Sequence, residues 1–153
     1  MVSFDFDDRA AIALRMGDLA ADGSGWINFE PAVDEADLPP ADTGLFSFLS
    51  ARGPQVPLCT WSPPERRGRS HPFVSLGIQH PVGGRVAPLL ASVGIEVDPR
   101  WRVLQDVPKK GLVVAVPVDD DHDVILEWLL RAGAALCPAD FGDRWTAAIY
   151  RRA

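Results

Sequence analysis

Cysteine is nearly absent from this chain: Cys59 and Cys137 are the only two, 78 positions apart and outside any Cys-x-x-Cys spacing. A disulfide scaffold, a thioredoxin-like redox motif and a zinc knuckle are therefore unsupported, and free, buried thiols are the expectation. Lysine is as scarce, with Lys109 and Lys110 set against thirteen arginines. Long apolar runs are missing too. The longest, Leu112 to Val118, falls far short of the roughly 20 residues a membrane-crossing helix requires. The first eight residues, Met1-Val-Ser-Phe-Asp-Phe-Asp-Asp8, are acidic where a secretory signal needs a basic stretch followed by an apolar one. A cytoplasmic protein that is not embedded in a membrane is the expectation.

Positive charge is in deficit as well. A formal net charge of -6 disfavours non-specific attachment to nucleic acid or to an anionic membrane, both of which depend on neutralising phosphates with basic side chains. Recognisable catalytic spacings are lacking: no Gly-x-Ser-x-Gly, His-Glu-x-x-His or paired Cys-His signature occurs. Ser70 and His71 are neighbours rather than members of a triad. With three histidines in the whole chain, no metal and no cofactor are expected.

What is present is ordinary globular material. With 153 residues, 47% apolar and 24% charged, the chain has the size and composition to build one core without metal or disulfide support. Residues 1–153 are read as one domain, made of a segment 1–62, a polar loop 63–71 and a unit 72–153.

In the first segment, Ile12, Met16, Leu19 and Ala20 share one helical face across residues 9–22, with Asp7 or Asp8 as N-cap and Gly23 as stop. Trp26–Glu30 and Gln55–Ser62 read as strands, Pro31–Asp42 as loop, and Leu45–Arg52 as a short helix. In the last unit Phe73–Gln79 reads as a strand. Val82, Val86, Leu89, Leu90 and Val93 then form a helical stripe ended by Gly94. Trp101–Val107 and Gly111–Val118 form a hairpin across Pro108–Gly111. A helix capped by Asp120 or Asp121 runs to Leu136 with Ile125, Leu129, Ala132 and Leu136 on one face, and Arg144–Arg151 supplies the final strand.

The order β-α-β-β-α-β is that of the ferredoxin-like split βαβ unit, so the fold class expected is α+β. The usual strand order 4-1-3-2 puts the first and third strands of the unit in the centre. Leu112-Val-Val-Ala-Val116 is apolar on both faces, as a central strand should be. A sheet apolar on both faces needs a second cover, for which the N-terminal segment is the first candidate and a second copy in a homodimer the alternative.

One segment invites a ligand. Gly83 and Gly84, between a strand and a helix, are placed to aim backbone N–H groups at an anion, and Arg85 adds a charged donor. The expected topology carries the hairpin tip, with Lys109 and Lys110, to the same end as His80, and residues 137–143 arrive there too. His80, Gly83, Gly84, Arg85, Lys109 and Lys110 are thus the candidate binding residues for a small phosphate- or carboxylate-bearing ligand. The bland alternative is a tight turn beside a solvated hairpin.

Other constellations have simpler explanations. Asp119-Asp-Asp-His-Asp123 lacks the glycine and glutamate an EF-hand requires, and helix capping accounts for its carboxylates. Arg66, Arg67 and Arg69 lie in a solvated loop facing Asp119–Asp121, where ion pairing is expected. Lys110-Gly-Leu-Val-Val-Ala-Val116 presents aliphatic residues where an RNA-recognition module stacks bases on aromatics. The five tryptophans read as core or half-buried packing residues. A binding or protein-interaction domain without catalysis is the leading expectation. A small enzyme or sensor for an anionic metabolite at Gly83–Arg85 is the alternative.

Overall fold

Seven strands and three α-helices make up the described part of the chain, residues 1–38, 53–64 and 73–151 of a computed structural model. The expected helix at Leu45–Arg52 and the basic loop at Arg66–Arg69 lie outside the described residues.

The chain begins with a strand that composition does not betray, β1 (Val2–Asp5), of whose side chains only Phe4 is buried. A single 3-10 turn over Phe6–Asp8 leads to α1 (Ala10–Asp22). Ile12, Met16 and Leu19 turn inward on the predicted stripe, and Gly23 closes the helix in the left-handed conformation, its N–H donating to the Leu19 carbonyl. The expected aspartate cap is absent: Asp7 and Asp8 lie in the preceding turn, and no side chain caps α1. Two strands follow, β2 (Gly25–Pro31) and β3 (Leu58–Ser62), the latter starting three residues later than the sequence pattern placed it.

β4 (Phe73–Gln79) alternates inward and outward side chains along its whole length. The next helix is much shorter than predicted, because α2 covers only Ala87–Ser92. Val82–Val86 stays non-helical, since the glycine pair raises the entropic cost of helix there and Pro88 favours the first turn. β5 (Arg102–Val107) and β6 (Gly111–Pro117) form the expected hairpin. Asp121 caps α3 (His122–Ala135), its carboxylate accepting the N–H groups of Asp123 and Val124 at 2.8 and 3.2 Å. β7 (Arg144–Arg151) ends the fold.

All neighbouring strands are antiparallel, in the order β1-β7-β2-β3-β4-β6-β5. This corrects the expected arrangement. The neighbours β4-β6-β5 match the second, third and fourth places of the ferredoxin-like order, but β7 does not border β4. β2 and β3 stand between them, and β7 is inserted between β1 and β2 instead. The described strands of the N-terminal segment therefore extend the sheet, and α1 does not cover its second face.

The helices share one face. Along the ladders, Phe29, Cys59, Ile78 and Leu112 fall in one row and Ile27, Trp61, Leu76 and Val114 in the next, all of them buried. Cys59 Sγ lies 3.8 Å from the Leu129 carbonyl of α3, and α1 packs beside α3 with Arg9 paired to Asp123 at 3.1 Å. α2 joins the same face, because the buried Asp106, opposite Leu112, holds its first turn. The other face carries smaller and more polar residues, among them Asn28, Thr60, Ser75 and Gly77, with Trp26 stacked on Tyr150 at a centroid separation of 5.0 Å. Small side chains on that face explain why the N-terminal helix is not drawn to it: the larger apolar area to be buried lies on the first face.

Candidate functional site

β4 runs out of the sheet into His80. The pairing of Ile78 with Leu112 and of Val107 with Gly111 brings the β5–β6 turn to that same end, so Lys109 and Lys110 do arrive near the strand that carries His80. Both lysines are exposed, as are Gly83 and Arg85, while Gly84 is half-buried.

His80 differs from all of these. It is fully buried, and neither Nδ1 nor Nε2 has a hydrogen-bond partner among the described residues. Its backbone is fixed by Gly53, whose N–H donates to the His80 carbonyl at 3.0 Å. Burial pushes the imidazole below its ordinary pKa of 6.5, against the opposing pull of the Asp106 carboxylate and the Val82 backbone.

The residue that organises this end of the sheet was not among those singled out from sequence. Asp106, in β5, is buried and turned toward α2, where its two oxygens accept the N–H groups of Val86 at 2.9 Å and Ala87 at 3.0 Å. An internal carboxylate thus occupies the helix start that the Gly-Gly-Arg segment was expected to offer to a ligand. A buried aspartate facing free helical N–H groups is a cap supplied from another element, and its signal in sequence is only an acidic residue at an inward position of a strand.

Residues 137–143 reach the same end of the sheet but not the same place. β2 and β3 separate β7 from β4, a lateral gap of roughly 14 Å at about 4.8 Å per strand. The depression they help to line, with Asp37, Pro138, Ala139, Asp140 and Gly142, is acidic, the wrong sign for an anion.

At the opposite end, Asp120 is held by Arg100 through two bonds of 2.9 and 3.2 Å and by the Trp101 indole N–H at 2.7 Å. Arg100 is thus an ion-pair partner of Asp120, while Arg66, Arg67 and Arg69 lie outside the described residues.

Cys59 is chemically quiet. It is completely buried, and burial pushes its thiol far above the range in which a thiolate forms. Cys137 is half-buried, and both thiols are free. Among the described residues no group of three or more His, Cys, Asp or Glu side chains is placed to hold a metal ion, and no helix is long and apolar enough to cross a membrane.

The lowered pKa of His80 carries a stability consequence. The unfolded chain takes up the imidazole proton near pH 6.5, before the folded one does, so unfolding is favoured as pH falls below that value. Denaturant titrations between about pH 7 and about pH 5 should show wild-type stability declining, with a shallower decline for His80→Leu. Equal slopes for the two proteins would mean that His80 is not the group being titrated.

No family model, no curated protein and no solved structure matches this chain.

Proposed function

We propose that the chain is a cytoplasmic, non-catalytic interaction domain that engages another protein. The observation that supports this reading is the strand β5, which among the described residues is an edge paired with β6 on one side only, and which exposes three aliphatic side chains: Val103 at 40%, Leu104 at 46% and Val107 at 41%. A strand edge with unpaired backbone groups and exposed apolar side chains is a template for another chain.

A second reading is a small enzyme or sensor binding a phosphorylated or carboxylated metabolite. It draws support from Arg85, Lys109 and Lys110, which are exposed and make no ion pair among the described residues. The Asp106 carboxylate at the helix start weighs against it, because an incoming anion would meet both occupied donors and a like charge.

Affinity capture with wild type and Leu104→Arg in parallel separates the two. Proteins retained by wild type and lost by Leu104→Arg are the expected result. If the retained set is the same for both, β5 is not the contact. A metabolite at 100 times its dissociation constant adds about 2.7 kcal/mol to stability. A thermal shift of that size, abolished by Arg85→Ala, would favour the second reading instead.

A further inference from the structure

We propose that β5 is a docking strand for an extended, acidic segment of another protein, which adds to the sheet edge beside β5. This names the partner chemistry of the interaction-domain reading and rests on it.

Natural sheets blunt their edges with outward charges, prolines, bulges or short strands. β5 has six residues and contains no proline. It does contain a bulge between Val103 and Gln105, yet the extra residue there is the exposed Leu104 rather than a charged one. The strand's only carboxylate, Asp106, is turned inward and bonded to α2. β5 itself therefore turns no carboxylate toward a chain approaching this edge.

Cations flank it instead. Arg102 opens the strand, and Lys109 and Lys110 follow its end; all three are exposed, and none makes an ion pair among the described residues. By contrast Arg9, Arg100, Arg144 and Arg151 are each paired with a carboxylate. On a chain of net charge -6, this edge is a local reversal of sign. Two copies of β5 laid antiparallel would bring Arg102 of one toward the lysines of the other, so like charge disfavours self-pairing through this edge. An acidic strand meets the same cations favourably. β5 spans roughly 20 Å at about 3.3 Å per residue, which fits a partner segment of about six to eight residues with Asp or Glu at both ends and β-branched residues between.

The test is selection from a random linear peptide library on the full chain, followed by titration of the synthesised winners. The expected peptides carry acidic residues on both sides of an apolar centre. They should bind at least tenfold more weakly to Arg102→Glu/Lys109→Glu/Lys110→Glu, whose far-UV circular dichroism should match wild type because the three sites are exposed. Methylating alternate backbone nitrogens of a winning peptide should abolish binding, as loss of strand pairing requires. Winners without acidic residues, binding indifferent to charge reversal, or binding that survives methylation would each overturn the proposal. So would concentration-dependent self-association that the triple substitution abolishes, since a second copy would then be the occupant. If the peptides fail while capture still yields a Leu104→Arg-sensitive partner, the acidic segment falls and the interaction reading stands; if both fail, both fall.

Discussion

Gly111→Ala is expected to lower the free energy of unfolding by about 3 kcal/mol or more, the sum of a left-handed backbone forced on a residue with a Cβ and a collision that cannot relax. Gly111 has φ +87, and a Cβ built on it would run into the Ile78 carbonyl oxygen of β4. That oxygen belongs to a backbone held in the sheet by the Ile78–Leu112 pairing, so it cannot swing aside as a side chain would. Gly94 is the matched control: it has φ +81, but no atom lies within 4 Å of where its Cβ would stand. Gly94→Ala should cost only about 1 kcal/mol, from the backbone alone. Urea denaturation of both variants measures the difference, and similar losses would show that the β4 carbonyl is not the obstacle.

Asp106→Ala should cost about 2–3 kcal/mol, because it strips two charge-assisted hydrogen bonds from the start of α2 and leaves at least one buried N–H without a partner. The midpoint of thermal unfolding should fall by several degrees. Added formate should restore part of the loss, since a small carboxylate can take the place of the one removed. No rescue, with a loss no larger than that of an exposed substitution, would mean that the two bonds contribute little. The same variant bears on the metabolite reading: with the resident carboxylate gone, inorganic phosphate should bind more tightly than to wild type if Arg85 and the glycine pair can hold it at all.

What could be read from sequence followed the range of the interaction involved. α1 was legible because Ile12, Met16 and Leu19 repeat at helical spacing and Gly23 ends the pattern locally. β4 and β7 were legible to the residue, and of the two cap candidates for α3, Asp120 and Asp121, the second caps it. α2 was overextended because Val82 and Val86 continue the apolar stripe, although Val86 is buried outside the helix. Its true start is set by Asp106, twenty residues away, and periodicity carries no information about such a contact. Strand order was lost for the same reason. Nothing in the composition of β7 distinguishes a neighbour at β4 from neighbours at β1 and β2. In the candidate site, the exposed cations were visible as residue types. The inward carboxylate that competes with any ligand depends on which side of a strand faces the helices, and the burial of His80 depends on contacts distant in sequence, such as that with Gly53.

The position of β7 has a consequence for how the molecule comes into being. Among the described residues β1 has β7 as its sheet neighbour, so a strand at Val2–Asp5 is synthesised long before the Arg144–Arg151 strand it pairs with. Loop closure between positions about 140 residues apart must be met before β1 is rewarded, and the β2–β7 pairing is also long-range, so slow folding is expected. During synthesis the Phe4 side chain and the core-facing residues of β2 wait uncovered, and nascent chains stalled before Arg144 should depend on chaperones to stay in solution.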